Sequence, residues 1–231
     1  MLAATMSRAE LDAMLFRTDE VSAWLGGQLQ AALERPGDDI LGVSARTIAK
    51  GEMTFQQGVV LLHTLLSAGG ESTTSLLGNA VRILAEQPTL QRRLRDDRTL
   101  VVAFIEEALR LESPFRNHMR FVPSTTTLAG AEVPGGSTML LLWGAANRDP
   151  AEYDHPDDVV LDRASPRHHV TFGRGIHHCV GAPLARLEAR VVLTALLDQT
   201  DHFELAGEPP TRVPSLMVRR HATLPIRCDA C

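Results

Sequence analysis

The sequence predicts a mainly α-helical fold with a minor β part. Apolar residues recur at helical spacing from the start of the chain to Pro114, which favours a run of helices. After Pro114 the apolar segments become short and are separated by glycine and proline, which favours short strands. Because no internal repeat, low-complexity tract or linker interrupts the chain, we expect residues 1–231 to form one mostly helical piece.

Five helices are expected in the first half of the chain. Ser7 is placed to cap the first helix, and Thr54 with Gln57 forms a T-x-x-Q capping box at the start of the longest. Nearly every position from Val59 to Leu66 is apolar, so we expect this central long helix to be buried through the centre of a domain. The expected helices span residues 8–34, 38 or 39 to 49, 55–86, 88–95 and 99–112.

The second half of the chain combines short strands, an irregular meander and one more strong helix. The meander is interrupted by Pro150, Pro156 and Pro166, whereas Pro183 lies in the first turn of the last helix, where a missing N–H costs nothing. The expected strands span residues 119–122, 126–128, 132–133 and 138–142. The larger segments are the β part and meander 117–167, a cysteine loop 172–181, the last long helix 182–199 and a C-terminal β-hairpin 213–226.

Composition excludes several classes of function. The net charge of −5 and an aromatic content of 4% argue against a nucleic-acid surface, which needs positive charge and exposed rings. No apolar run is long enough to cross a bilayer, and the first residues lack the pattern of a secretory signal. Three cysteines cannot build a disulfide framework, so we expect a reducing compartment. These features predict a soluble cytoplasmic protein with no nucleic-acid or membrane partner.

The strongest local signal is the loop FGRGIHHCVG at residues 172–181. Its glycines allow positive φ and let the backbone approach a flat ligand. Cys179 lies just before a helix N-terminus, which stabilises a thiolate, and such a thiolate suits a redox-active metal such as haem iron. One alternative is that Cys179 is a small buried hydrophobe. Another is a zinc site formed by His168, His169, His177, His178 and Cys179.

A second signal lies in the middle of the longest helix, where residues 68–74 read AGGESTT. Two interior glycines cost roughly 1 kcal/mol each relative to alanine, and buried hydroxyl and carboxyl groups add a desolvation cost. Such a violation of local rules indicates a site at which polar groups organise water and relay protons. The alternative is a tolerated kink in which Ser and Thr bond back to helical carbonyls.

A third signal is the pair Glu107 and Arg110, an E-x-x-R motif on one helix face. By itself this pair is weak, because such pairs are commonly surface ion pairs of little energetic value.

Together and in this order, the three motifs resemble the cytochrome P450 family, the haem-thiolate monooxygenases of the soluble bacterial kind. The family pattern F-G-x-G-x-H-x-C-x-G is matched at every fixed position of residues 172–181, and A-G-x-E-T is matched through Ala68, Gly69 and Glu71. The segment GAANRDP at 144–150 is similar to the one that precedes the family's meander. The resemblance covers nearly the whole chain and implies a P450-like fold lacking its N-terminal portion.

The resemblance implies a haem b cofactor with Cys179 as the axial thiolate on iron. Phe172 would pack beside the haem, and His177 and Arg120 would contact the propionates. The other implied haem-binding residues are Gly173 and Gly181 of the loop and Ala68 and Gly69 of the long helix.

The family's catalytic and structural roles also carry over to positions of this chain. Glu71 and Ser72 would deliver protons during dioxygen activation, with Thr73 as a substitute alcohol, because Ser72 stands where the family usually has Thr. Glu107 and Arg110 would be structural and tie their helix to the meander. The residues implied to line the substrate pocket are Phe115, Leu216 and Met217.

The implied reaction is the oxidation of a small, largely apolar substrate with electrons from NAD(P)H through a ferredoxin-type partner. Arg174, Arg186 and Arg190 would lie on the face where an acidic electron donor docks, although solvated arginines are the ordinary alternative. In the meander, Asp158 stands where the family often has a basic residue that completes the Glu107 network. We therefore expect Arg163 or another basic residue to take over.

The sequence also lacks features of the family. No W-x-x-x-R propionate clamp is present, since positions 28 and 147, four after Trp24 and Trp143, are Gln and Asn. An alternative function is therefore a truncated, non-catalytic remnant that binds haem weakly or acts as a helical interaction module. Such a chain would expose apolar residues of the long helix and self-associate through them; the residues concerned are Val59, Leu62 and Leu66. Cys228 and Cys231 lie outside the family pattern and are expected in a fraying tail.

Overall fold

The structure is a computed structural model that describes residues 7–230, without the side chains at positions 11–13, 15 and 230. Residues 1–6, on which the absence of a secretory signal was argued, and Cys231 lie outside the described residues. No cis peptide bond occurs among the described residues.

The described chain is mainly α-helical with short strands, as predicted. The helices are α1 (Arg8–Glu34), α2 (Ile40–Ala49), α3 (Phe55–Glu86), α4 (Pro88–Asp96), α5 (Leu100–Leu111), α6 (Trp143–Ala146) and α7 (Ala182–Gln199), with 3₁₀ turns at Pro166–His168 and Gly175–His177. The strands are β1 (His118–Phe121), β2 (Thr126–Leu128), β3 (Ala131–Val133), β4 (Thr138–Leu141), β5 (Thr200–Leu205) and β6 (Ile226–Ala230).

Capping residues set the starts of the long helices. Ser7 accepts from the backbone N–H of Glu10, and the Glu10 carboxylate accepts from the backbone N–H of Ser7, which completes a capping box at α1. At α3, Thr54 N–H donates to Gln57 Oε1 at 2.8 Å and Gln57 N–H donates to Thr54 Oγ1 at 3.2 Å. Both predicted caps are confirmed.

The chain divides into two compact units, Met1–Gly70 and Glu71–Cys231. The first unit contains α1, α2 and the beginning of α3. Its small core joins one face of α3 to α1 through Leu25, Leu29, Val59 and Leu62. The sequence predicted that Val59 and Leu62 would lie on an exposed apolar surface through which the chain self-associates. This core buries both of them.

The expected exposure of Val59 and Leu62 is therefore wrong, because α1 covers both residues. Burial of this stretch on every face is also wrong, since Val60 is 56% exposed and Leu66 is 54% exposed. A helix packed on one side keeps only one stripe of its apolar residues from water. Of the three residues named for self-association, Leu66 alone is exposed.

The second unit has the larger core, built from the end of α3 and from α4, α5, α7 and β5. The most deeply buried apolar side chains of these five elements are Leu84, Leu94, Phe104, Leu193 and Phe203. Almost all of α5 is buried, including its charged residues. Burial of charges in a helix requires partners, which the site below supplies.

Each sheet formed by the described residues has two antiparallel strands, β1 with β4, β2 with β3 and β5 with β6. The predicted C-terminal hairpin over 213–226 does not form as paired strands; the segment is a loop with isolated bridges between Arg212 and His221 and between Phe115 and Val218. Strand pairing begins only after this loop, where β6 returns to β5. Cys228 pairs with Phe203 in that sheet, so its expected place in a fraying tail is wrong.

None of the helices within residues 7–230 combines the length and the apolar character that a bilayer crossing requires.

Candidate functional site

The cysteine loop turns tightly between the meander and α7. Gly173 and Gly175 both have φ of +70°, a left-handed conformation that favours glycine. The backbone N–H of Cys179 donates to the carbonyl of Phe172 at 2.9 Å and closes the loop. Cys179 itself is exposed, which excludes its interpretation as a small buried hydrophobe. The helix α7 begins three residues later.

The side chains beside Cys179 fit a large, flat, apolar ligand such as haem. Ile176 is 98% exposed and Val180 is 82% exposed, so apolar side chains stand in solvent on both sides of the thiol. Exposed apolar groups clustered at one place indicate a surface that is covered by a ligand or a partner. Arg120 and His177 make no ion pair with any carboxylate among the described residues, which leaves them able to receive the carboxylates of such a ligand.

A buried polar network contacts this loop at Phe172. Arg186 stacks its guanidinium on the ring of Phe172 at 4.5 Å and donates from Nε to Glu106 Oε1 at 2.7 Å. His169 Nε2 lies 2.9 Å from the other oxygen of Glu106. Burial alone would raise the pKa of Glu106, but hydrogen bonds from His169 and Arg186 outweigh it and hold the pKa at about 2. The network therefore holds Phe172 and a permanent buried carboxylate together.

The E-x-x-R pair is buried, which rules out the alternative of a surface ion pair. Arg110 donates from Nε and Nη2 to the two oxygens of Glu107 at 2.7 and 2.9 Å, and both side chains are 1% exposed. Arg163 donates to Glu107 Oε1 at 2.9 Å, as the sequence predicted. Arg110 also donates to three backbone carbonyls of the meander region, those of Asn147, Pro156 and Asp158. The pair thereby fixes the meander against α5.

Asn147 is a fully buried hub that the sequence analysis did not identify. Its Oδ1 accepts from the backbone N–H of Val170 at 2.8 Å. Its amide nitrogen donates to Ser113 Oγ at 2.9 Å and to Thr171 Oγ1 at 2.8 Å. These bonds tie the end of α5 to the segment that enters the cysteine loop. Asn147 belongs to the GAANRDP segment, which was the available signal.

The AGGESTT motif lies within α3, which is helical throughout Phe55–Glu86. Next to the motif, Ser75 Oγ donates to the carbonyl of Glu71 at 2.7 Å, the back-bonding that the alternative expected. Added side-chain atoms at Gly69 and Gly70 would meet no described atom within 4 Å, so open space adjoins the helix there. Glu71 Oε1 accepts from Arg220 Nε at 3.0 Å. Ser72 and Thr73 are half-buried beside it. Ala68 and Gly69 belong to the first unit, and Glu71, Ser72 and Thr73 to the second.

The structure brings the predicted substrate residues of the second unit to one place. The segment after α5 runs beside the C-terminal loop, with Arg116 N–H donating to the carbonyl of Met217 at 2.8 Å and Phe115 bridged to Val218. Leu216 and Met217 are exposed there. The backbones of residues 115–116 and 217–218 thus lie side by side.

The arginines predicted to dock an electron donor are not equivalent. Arg186 is committed to Glu106 and Phe172, and Arg174 donates to the carbonyl of His168 at 2.6 Å. Arg190 is exposed and, with Arg167, lines a cleft of about 310 Å³ between α5 and α7. The docking role of Arg186 stays a prediction: its guanidinium is paired with Glu106, and it lines the same cleft as Arg167 and Arg190.

The zinc alternative is not supported. No group of three or more potential ligands within residues 7–230 is arranged to hold a metal ion. His168 pairs with Glu152 and His169 with Glu106, so neighbouring histidines point to different carboxylates.

Comparison with known proteins places most of the chain in one family. The family model described as Cytochrome P450 matches residues 38–225. Cytochrome P450 144 of Mycobacterium tuberculosis is 50% identical over 201 residues, which cover 87% of this chain and 46% of that protein. The monooxygenase PikC of Streptomyces venezuelae is 35% identical over 215 residues, covering 90% of this chain and 51% of PikC.

Solved structures share the same architecture. CYP109E1 from Bacillus megaterium in complex with corticosterone matches with a TM-score of 0.89 at 31% identity, covering 96% of this chain and 60% of that one. P450BioI in complex with hexadec-9Z-enoic acid ligated acyl carrier protein matches with a TM-score of 0.89 at 30% identity, covering 97% and 58%. The chain thus spans about half the length of the curated relatives that it matches.

Proposed function

The chain belongs to the cytochrome P450 family, whose members are haem-thiolate monooxygenases, and we propose that it forms the haem-binding part of such an enzyme. The observation that carries the proposal is the exposed Cys179 in its glycine loop, with apolar side chains on both sides and a buried polar network beneath. The proposed reaction oxidises a small, largely apolar organic substrate.

Residues of the second unit would hold haem b. Cys179 would supply the thiolate ligand of the iron, Phe172 would pack beside the ring, and Gly173 and Gly181 would let the loop approach it closely. His177 and Arg120 would donate to the propionates, because charged carboxylates at the edge of an apolar site need charge-assisted donors. Glu107 and Arg110 keep the meander in place and do not touch the ligand.

When bound, the haem supplies the activation of dioxygen. Ser72 and Thr73 carry hydroxyl groups and Glu71 a carboxylate on one stretch of α3, and these groups are proposed to pass protons to that reaction. Arg220 fixes the position of the Glu71 carboxylate through their 3.0 Å contact. By family resemblance, Ala68 and Gly69 leave room for dioxygen, consistent with the open space beside Gly69.

Electrons are proposed to come from NAD(P)H through a ferredoxin-type partner. Such partners are acidic, and the cleft lined by Arg167, Arg186 and Arg190 offers them positive charge, although Arg167 and Arg186 also contact Glu106. Phe115, Leu216 and Met217 are proposed to line the substrate pocket. The ligands of two related structures, corticosterone and an acyl chain, are apolar and support this substrate class.

Haem titration of matched cysteine variants tests the proposal. The full chain should bind haem at one equivalent, and Cys179→Ser should lose the thiolate signature in electron paramagnetic resonance. Cys228→Ser is the matched control, because Cys228 is also a free, exposed cysteine but lies in β6. Identical spectra for the two variants would contradict the proposal.

A further inference from the structure

A second cleft, separate from the cysteine loop, opens where α5, β4, α6 and the C-terminal loop meet. Its volume is about 430 Å³, within the range of small-molecule sites. Four leucines supply its apolar wall, and no residue of the cysteine loop lines it. The leucines are Leu111, Leu140, Leu142 and Leu216.

The polar part of this cleft carries positive charge. Arg116, Arg148 and Arg219 line it, and no acidic residue does. Arg148 is paired with Asp157 and Arg219 with Glu112, but the Arg116 guanidinium bonds to no described side chain or carbonyl. The Arg116 Nε is buried without a partner. A buried donor without an acceptor is costly, so this position favours an acceptor from a ligand.

The carboxylate closest behind the cleft is occupied by arginines other than Arg116. Glu112 accepts hydrogen bonds from Arg82, Arg212 and Arg219, and Arg148 approaches it at 3.7 Å. One carboxylate therefore serves four guanidinium groups behind the cleft. Arg82 and Arg148 have second partners in Glu86 and Asp157, whereas Arg116 pairs with no carboxylate among the described residues.

We propose that this cleft binds an aliphatic carboxylate, with Arg116 as the anchor of the carboxylate and the leucines as the wall for its apolar chain. A guanidinium presents parallel donors that match the two oxygens of a carboxylate. The apolar wall adds affinity in proportion to the chain that it covers. The site shares Leu216 with the proposed substrate pocket, but it uses none of the residues proposed to hold haem and does not depend on haem binding.

Decanoate binding to the haem-free full chain tests this inference. Trp143 adjoins two lining residues of the cleft, so its fluorescence in a Trp24→Phe background reports occupancy. We expect saturable binding of decanoate and at least ten-fold weaker binding of decanol, which lacks the charge. Arg116→Gln should weaken decanoate binding about ten-fold, and Arg116→Lys should weaken it less, because it keeps the charge.

Arg92→Gln is the matched control, since Arg92 is an exposed arginine of α4 with no carboxylate partner among the described residues. Its decanoate affinity should equal that of the parent. Circular dichroism of each variant checks that the fold is retained. Equal binding of decanol and decanoate, unchanged binding by Arg116→Gln, or no binding of decanoate would overturn the inference. Failure of the chain to bind haem would leave all of these results unaffected.

Discussion

Trp143 donates its indole N–H to Nδ1 of His118 at 2.6 Å. Because an indole nitrogen can only donate, Nδ1 must accept, and the proton of the neutral imidazole resides on Nε2. Burial lowers the pKa of His118, and the nearby charge of Arg120 lowers it further. Phe115 packs against the same ring, with centroids 5.5 Å apart. His118 is therefore a neutral, oriented donor between a substrate residue and a haem-binding residue proposed here.

Without the indole donor, His118 should no longer be held in a single tautomer. In Trp143→Phe the ring is kept but Nδ1 loses its partner, so we expect a mixture of tautomers and a higher pKa of His118. Long-range ¹H–¹⁵N spectra of the histidine side chains measure both. Trp24→Phe, a change at an exposed tryptophan of α1, should leave the His118 signals unchanged. A proton on Nδ1 in the parent chain would contradict the structure.

Glu106 should make the fold sensitive to acid. Its pKa is about 2 in the folded protein against an ordinary value of 4.5, so the unfolded chain binds the proton more tightly. Its contribution to stability is therefore complete above pH 4.5 and is lost as the pH falls from 4.5 towards 2. Urea unfolding of the parent and of Glu106→Gln across this range measures the effect, which should be much smaller in the variant.

At neutral pH, Glu106→Gln should lower the free energy of unfolding by about 3 kcal/mol, because it leaves Arg186 without its buried anion. Glu132→Gln removes an exposed carboxylate and should change it by less than about 0.5 kcal/mol. Equal stability of these two variants would show that the buried network does not support the loop.

The bond between Glu107 and Arg110 should be worth far more than an exposed pair. Arg110→Met removes two charged hydrogen bonds from the buried Glu107 carboxylate and the donor of three carbonyls, so we expect a loss of about 3–5 kcal/mol. Arg227→Met breaks an exposed pair with Glu204 and should cost less than about 1 kcal/mol. Urea denaturation measures both. A small loss in Arg110→Met would mean that water satisfies Glu107 and the meander carbonyls.

Asn147 should control the order of the segment that enters the cysteine loop. Asn147→Ala removes the acceptor of the Val170 N–H, so amide exchange at Val170 should accelerate at least about ten-fold. Asn117→Ala is the control, because its exposed amide bonds only to the carbonyl of Leu216. Unchanged exchange at Val170 in Asn147→Ala would remove Asn147 from this role.

Local signals predicted the fold well wherever a helix end is determined by its own neighbours. The capping box at Thr54 and the proline at position 183 placed the starts of α3 and α7 correctly. The burial of residues 59–66 in α3 was predicted wrongly. Apolar residues on nearly every face of the helix predicted burial on all sides, but α1 covers only one face. Periodicity cannot show how many neighbours a helix has.

Much of the candidate site was predictable because the family motifs are contiguous. The cysteine loop lies within ten residues. Asp158 stands where the family often has a basic residue, and its charge alone indicated that another basic residue, such as Arg163, must pair with Glu107. Glu106 and Asn147 were missed because their partners are remote in sequence. His169 is 63 residues from Glu106, and Val170 is 23 residues from Asn147. Only the fold brings these groups together.

The absorption spectrum of the reduced, carbon monoxide-bound protein tests most directly that Cys179 binds haem iron as a thiolate. The full chain, supplied with haem, is reduced and exposed to carbon monoxide. We predict the red-shifted Soret band of thiolate-ligated haem, and its loss in Cys179→Ala. A Soret band of the histidine-ligated type, or no haem spectrum at all, would contradict the account.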